Sequence, residues 1–266
     1  MAEAVLANPS KPDRGPDYGL DAPGVVNRMF SRGAWFLGIG LLMYFINHTD
    51  YPEPSAKILS VLGLIGVTFL LVGVVMVWSS RVAKLKLRDE LLDSLELRGD
   101  EKVLDVGCGR GLLLIGAAKR LSSTKGGGKA TGIDIWSNED LSKNSADAVK
   151  QNAKIEGVSD RVRIETGDAR KLVYPDANYD VVVSSLAIHN IPEKDERAQA
   201  IREMWRVLKP GGKLLIFDIF HTGEYAKTLR DSGATDVELS GMKFLWCVPG
   251  RSLTAKKSEV RSQKSE

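Results

Sequence analysis

The longest uncharged stretch of the chain is Ile58 to Trp78, ILSVLGLIGVTFLLVGVVMVW, 21 residues. A helix needs about 20 apolar residues to cross a hydrocarbon core of about 30 Å. A buried helix of a soluble domain would carry a polar stripe, and none is visible here. The stretch therefore predicts a transmembrane helix. A shorter run, Ala34 to Ile46, spans if Phe30 to Gly33 are included and Arg28 and Arg32 snorkel to the interface; otherwise it is a re-entrant or surface-lying helix. Trp35, Tyr44 and Trp78 sit near the run ends, as interfacial aromatics do. Beyond Arg81 the pattern changes. Residues 82–98 read as an amphipathic helix, with Leu85, Leu87, Leu91, Leu92, Leu95 and Leu97 on its apolar positions. Short β-branched runs then alternate with helical periodicity, the mark of βαβ units and a parallel sheet. Strands are predicted at 102–106, 130–135, 162–166, 179–184 and 213–218. Helices are predicted at 111–121, 139–155 (capped by Ser137 or Asn138), 193–208 and 224–233. Two further strands, near 236–241 and 244–257, would finish an antiparallel edge.

The flanks orient the apolar pair. Arg28 and Arg32 precede it, and Arg81, Lys84, Lys86 and Arg88 follow it. The connector from His48 to Pro54 has no Lys or Arg, and the first one after it is Lys57. The positive-inside rule puts both ends of a hairpin, residues 24–80, on the cytoplasmic side. Residues 1–23, with Pro9, Pro12, Pro16 and Pro23 among mixed charges, read as a disordered tail. Glu3, Asp13, Asp17 and Asp21 argue against an acid-poor transit peptide, and the late start of the first apolar run argues against a cleaved signal. Residues 258–266 form a charged tail.

Composition narrows the chemistry. A net charge of +3 is too mild to call for a nucleic-acid partner. Cys108 and Cys247 are far apart and form no C-x-x-C, which excludes a disulfide framework and a zinc site and fits a reducing compartment. His48, His189 and His221 are too scattered for a metal cluster.

The candidate chemistry centres on Val103-Leu104-Asp105-Val106-Gly107-Cys108-Gly109-Arg110-Gly111. A buried strand ends in an acid, and a glycine follows at every second position before a helix begins. Glycines let backbone approach a ligand closely, and the helix start offers unpaired N–H groups and partial positive charge. A dinucleotide fingerprint would need a small residue where Leu112 stands, and a phosphate loop would need Lys-Ser or Lys-Thr. Neither is present.

The ordered segments VLDVGCGRG, GIDIW, ETGDA, YDVVVSSLAIHNI and REMWRVLKPGGKLLIFD resemble the class I S-adenosylmethionine methyltransferases, over residues 84–257 or so. The resemblance is nearest to the ubiquinone/menaquinone C-methyltransferase and type 11 branch. It implies an α/β, Rossmann-like, seven-stranded, mostly parallel sheet spanning 81–257 behind the membrane hairpin. It also implies S-adenosyl-L-methionine as cofactor. Asp105, Gly107, Cys108 and Gly109 would meet its methionine part, and Asp134 its ribose hydroxyls. Ile135, Asp168 and Ala169 would lie at the adenine, and Ser184 beneath the sulfonium. Trp136 would flank the adenine or pack on the surface, Asp168 has a turn role as its alternative, and His189 is either a base or structural. Ser184-Ser185-Leu186-Ala187, in place of an Asn/Asp-Pro-Pro-Tyr segment, disfavours amino methylation of nucleic acids or glutamine. The expected function is a membrane-anchored methyltransferase acting on a small or lipid-soluble acceptor, with the bilayer as a partner and neither metal nor nucleic acid. A membrane protein methylase and a catalytically silent S-adenosylmethionine-binding scaffold stand as alternatives.

Overall fold

The computed structural model describes residues 15–47, 49–124, 126–137, 141–245 and 248–259. The expectations that fell on His48, Asn138, Cys247 and the outer parts of both tails lie outside the described residues.

Two long apolar helices come first, α1 (Pro23–Asn47) and α2 (Pro52–Trp78). They pair antiparallel through small residues. The buried positions of α1, namely Val26, Gly33 and Gly40, are seven apart, and so are Gly66 and Gly73 of α2. That heptad spacing keeps one seam facing the partner. The glycines are sterically required: a Cβ on Gly66 would stand 2.9 Å from the Gly33 carbonyl oxygen, and one on Gly33 3.0 Å from the Gly66 oxygen. Phe36 stacks on Phe69 at 5.7 Å across the pair. Only 11% of each apolar window is buried, so neither helix is the core of the domain. Both are long and apolar enough to cross a membrane. α1 runs well beyond the short apolar run, from Pro23.

α2 passes without a break through a π turn (Ser79–Ala83) into α3 (Lys84–Asp93). The expected helix over 82–98 thus ends early. Ser94 closes it, and Glu96 reverses the chain at a left-handed φ of 50°.

The remaining elements are β1 (Lys102–Val106), α4 (Leu112–Arg120), β2 (Lys129–Asp134), α5 (Ala146–Ile155), β3 (Val162–Thr166), β4 (Tyr179–Ser185), α6 (Lys194–Val207), β5 (Leu208–Asp218), α7 (Thr222–Asp231), β6 (Asp236–Leu239), β7 (Lys243–Leu245) and β8 (Val248–Lys256). The sheet order is β3-β2-β1-β4-β5-β8-β6. The first five strands are parallel, and β8 pairs antiparallel with β5 and β6. One correction follows at the edge: the single strand expected over 244–257 is a hairpin, because β7 folds back on β8. That adds an eighth strand to the expected seven. The helix expected from Glu139 starts at Ala146, where the Ser145 hydroxyl accepts the Ala148 N–H at 3.2 Å.

Strand residues alternate between two cores, as a pleat with period 2 requires. Leu104, Val106, Val182, Leu214 and Ile216 pack with α6 and α7. Val103, Val181, Val183, Leu215 and Phe217 pack with α3, α4 and α5. Strand order reverses between β1 and β4, and the crevice outside their carboxyl ends is where such sheets take ligands.

The tail also needs correction, because residues 15–22 form an ordered strap on the domain. The Asp17 N–H donates to Asn152 Oδ1 (2.9 Å), and the Asn152 amide returns a bond to the Asp17 carbonyl (2.9 Å). Tyr18 is buried, and its hydroxyl donates to Glu156 (3.0 Å). The Lys84 ammonium donates to the carbonyls of Tyr18 (3.0 Å) and Gly19 (2.8 Å) and pairs with Asp21. Asp21 forms an isolated bridge with Leu141.

Candidate functional site

The turn after β1 is stitched to β2. The N–H groups of Gly107 and Cys108 both donate to the Ile133 carbonyl, at 2.8 and 3.1 Å. Gly107, Gly109 and Gly111 have φ of 72°, 54° and 87°, the left-handed region that disfavours a Cβ. At Gly107 an added Cβ would also collide with Ala187, and at Gly109 it would stand 2.8 Å from Leu141 Cδ2. α4 therefore begins without a side-chain cap of its own. Asp105 serves instead: its Oδ2 accepts the Leu114 N–H at 2.8 Å. Burial pushes the Asp105 carboxyl up to about 7; the Leu114 bond opposes the shift and the charge of Asp134 adds to it.

Asp134 ends β2 and ties the turn down. Its Oδ2 accepts the Gly109 N–H (2.8 Å), and its Oδ1 accepts the Trp136 N–H (2.6 Å) and the Asn144 amide (3.2 Å). Each carboxylate oxygen has two acceptor sites, so capacity for a ligand hydroxyl remains. Ile135 is exposed beside it and lines the same cavity, as do Asp168 and Ala169. The Asp168 carboxylate is gripped by the Arg170 guanidinium, with Nη2 at 2.6 Å, and this contact holds its pKa below the usual range. Arg170 reaches on to Glu196 at 2.6 Å.

His189 follows β4 on a short 3-10 turn (Ile188–Asn190) and lines the cavity. Its Nδ1 lies 2.5 Å from Asp218 Oδ1 at the end of β5, although the ring is turned so that no well-aligned N–H bond forms. Asp218 is fully buried and already accepts the backbone N–H groups of His189 (3.1 Å) and Ile219 (2.8 Å) and the Tyr225 hydroxyl (3.3 Å).

The cavity measures about 420 Å³, within the usual range for small-molecule sites. It gathers Asp105, Gly107, Cys108, Gly109, Asp134, Ile135, Asp168, Ala169 and His189. Ser184 is a correction. It is 0% exposed, its hydroxyl donates to the Val106 carbonyl at 2.7 Å, and Ser185 is the neighbour that lines the cavity. A strand buried on both faces carries no alternation to show which serine points out. Trp136 takes the packing role: its indole N–H donates to Thr166 at 2.7 Å, and it sits against the α4 core. The Cys108 thiol is buried, which raises its pKa and leaves it a poor nucleophile.

Sequence reasoning missed the residues that reach the cavity from other elements: Tyr18 and Asp21 of the strap, Lys84 of α3, Arg110, and Asn144. Arg110 was only a spacer in the glycine motif. Its guanidinium donates to the carbonyls of Asp17 (2.7 Å) and Lys143 (2.6 Å).

A doubly wound sheet of this order, with a glycine turn and strand-end carboxylates on one crevice, defines a Rossmann-like domain that binds a nucleoside cofactor. Residues 104–216, a little under half of the chain, match the family described as a methyltransferase domain, and that match together with the curated relatives supports a class I S-adenosylmethionine-dependent methyltransferase. It is similar to the 27-O-demethylrifamycin SV methyltransferase of Amycolatopsis mediterranei, 37% identical over 136 residues, 51% of this chain and 45% of that protein. It is also similar to the sterol 4-C-methyltransferase strm-1 of Caenorhabditis elegans, 32% identical over 141 residues, 53% of this chain and 38% of that protein. The chain spans about half the length of the curated relatives it matches, or less. The fold is that of the YcgJ protein of Bacillus subtilis, with a TM-score of 0.53 at 16% identity over 66% of this chain and 99% of that one. S-adenosyl-L-methionine is the cofactor of this family, and the glycine cradle beside two carboxylates suits a cationic amino acid joined to a nucleoside.

Proposed function

We propose that the chain is a membrane-anchored S-adenosylmethionine-dependent methyltransferase that methylates a small or lipid-soluble acceptor at the cytoplasmic leaflet. Residues 24–80 are its anchor and 81–257 its catalytic domain. The observation that carries the reading is the single cavity in which the glycine turn, Asp134 and His189 meet. Relatives named for a sterol and for 27-O-demethylrifamycin SV support a small-molecule acceptor. The exposed apolar surfaces of α1 and α2 support the anchor, and the basic flanks Arg28, Arg32, Arg81 and Lys86 support the orientation.

The bound cofactor supplies an electrophilic methyl group on a sulfonium. The chain's task is then positioning, since holding two reactants in near-attack geometry supplies much of the rate. Gly107 and Gly109 would admit the methionine part to the backbone, and Asp105 would favour its ammonium group. Asp134 would receive a ribose hydroxyl on the free acceptor site of Oδ2 while keeping the turn closed through Gly109. Ile135, Ala169 and Asp168 form the adenine end, where Asp168 shares its charge with Arg170. His189 takes the acceptor's proton if the accepting atom carries one, and buried Asp218 stabilises the imidazolium that forms.

Radiolabelled S-adenosylmethionine incubated with the full chain and cell extract, fractionated into lipid, protein and aqueous parts, tests the reading. Label in the lipid or small-molecule fraction, with S-adenosylhomocysteine released, is the expected result. Label in the protein fraction alone, or binding without turnover, contradicts it. His189→Gln is expected to lower kcat by about 10²–10⁴-fold with the S-adenosylmethionine Kd unchanged if it is the base.

A further inference from the structure

The cavity is crossed by the strap and has an apolar part to its lining. Over Gly109 and Arg110 the strap is fastened by Lys84, Arg110 and Asn152. Elsewhere the lining includes half-exposed apolar side chains: Leu87 of α3, one helical turn beyond Lys84, Leu186 and Ile191 after β4, and Ile219 after β5. Phe220 stands next to Ile219 with 58% of its surface exposed, its ring 6.1 Å from that of His189. Its ring contacts are with His189 and His221, and more than half of its surface stays open.

One part of that lining is a rigid extension of α2. The backbone bonds run unbroken from α2 through the π turn into α3: the Ser79 N–H bonds to the carbonyls of Val75 and Met76, and the Lys84 N–H to that of Ser79. Leu87 lies nine residues beyond Trp78, about 13 Å along a helix. The polar layer of a leaflet is roughly 5–7 Å thick. On the anchored reading, with Trp78 at the hydrocarbon edge, Leu87 would stand about one further head-group thickness above the bilayer. A methyl acceptor embedded in the leaflet has only that gap to cross, and an apolar wall shields the part of its chain that is lifted out.

We propose that the acceptor is a tailed amphiphile that enters from the leaflet. Its head group passes Leu87, Ile219 and Phe220 to reach His189, and its apolar tail remains in the membrane. This deepens the anchored-methyltransferase reading and rests on it. The strap stays fastened, and exchange of the acceptor does not disturb the bonds to Lys84.

The test is site-directed photo-crosslinking of the full chain in phosphatidylcholine nanodiscs, with a benzophenone amino acid at position 87, 220 or 173. Val173 is 80% exposed in the loop after β3 and serves as the remote surface control. Phospholipid adducts at positions 220 and 87, at least tenfold above those at 173, are the expected result. S-adenosylmethionine binding by each labelled chain reports its fold, and position 220, being exposed, keeps the test valid if position 87 perturbs packing. Chains that stay in the discs but give no adduct at 220, or equal adducts at 173, overturn the lateral route and leave the anchor standing. Chains that leave the discs under an alkaline wash overturn the anchor and the route together.

Discussion

The hairpin and the catalytic domain are both rich in Leu, Ile, Val and Phe, and they put those residues in opposite places. In the domain, Leu104, Ile201, Met204 and Phe217 are wholly buried between sheet and helices. In the hairpin the buried positions are Gly33, Gly40, Gly66 and Gly73 together with Val26, Ser55 and Met76, while Leu42, Leu64 and Leu71 face outward. The domain is held by volume, through apolar surface removed from water. The hairpin is held by backbone approach, and its apolar surface stays exposed. Identical side chains thus respond differently to the same substitution in the two regions.

The largest contrast comes from truncation. Phe217→Ala is expected to cost about 3–5 kcal/mol by opening a cavity at the centre of the sheet. Leu64→Ala, at a residue 70% exposed, is expected to change stability by less than about 0.5 kcal/mol. Thermal unfolding of both variants in detergent micelles checks the pair, and comparable losses would erase the distinction.

A nearly equal effect sharpens the domain side. Asp105 keeps its proton in the fold up to about pH 7 because burial disfavours its charge, whereas a free aspartate loses it near pH 3.9. The folded pKa is the higher one, so the folded chain binds more protons between those values. Stability is therefore full below about pH 4 and declines as pH rises to about 7. The loss from this group is at most about 4 kcal/mol. Asp105→Asn retains an acceptor for the Leu114 N–H and is expected to flatten the decline in a series of melts from pH 4 to 8.

Enlarging a glycine sharpens the hairpin side. Gly66→Leu drives side-chain atoms toward the Gly33 carbonyl and Leu37, with an expected overpacking cost of about 1–3 kcal/mol. Distances between spin labels on α1 and α2 should lengthen while the melting of the domain stays within error. The smallest effect concerns the strap that joins the two regions. Gly19 has φ of 80°, and a Cβ there would stand 2.7 Å from Leu141 Cδ1. Gly19→Ala is expected to cost about 1–2 kcal/mol, seen as several-fold faster proteolysis of residues 15–22.

Local signals made most of this legible. The strand, glycine turn and helix over 102–120 are encoded within a few residues of one another, and the remaining βα units follow the same periodicity. The apolar hairpin was equally plain, although its glycine seam drew no notice because pairing is a property of two helices at once. What escaped notice was decided at a distance. The strap looks like a proline-rich tail until Lys84 and Arg110 offer their charges to its carbonyls. Ser184 and Ser185 cannot be told apart in a strand with both faces covered. The late start of α5 depends on Ser145 capping it, and the preceding polar residues give no periodic cue. The β7–β8 hairpin forms inside an apolar stretch that reads equally well as one strand.

The central claim is that the glycine turn and Asp134 form the S-adenosylmethionine site of a membrane-held domain. Isothermal titration calorimetry of the full chain in nanodiscs measures this directly. The account predicts one S-adenosylmethionine per chain, with Asp134→Ala weakening the affinity by roughly 100-fold through loss of its charged hydrogen bonds and Gly66→Leu leaving it unchanged. Absence of binding heat, or equal affinity in Asp134→Ala and the parent chain, would contradict it.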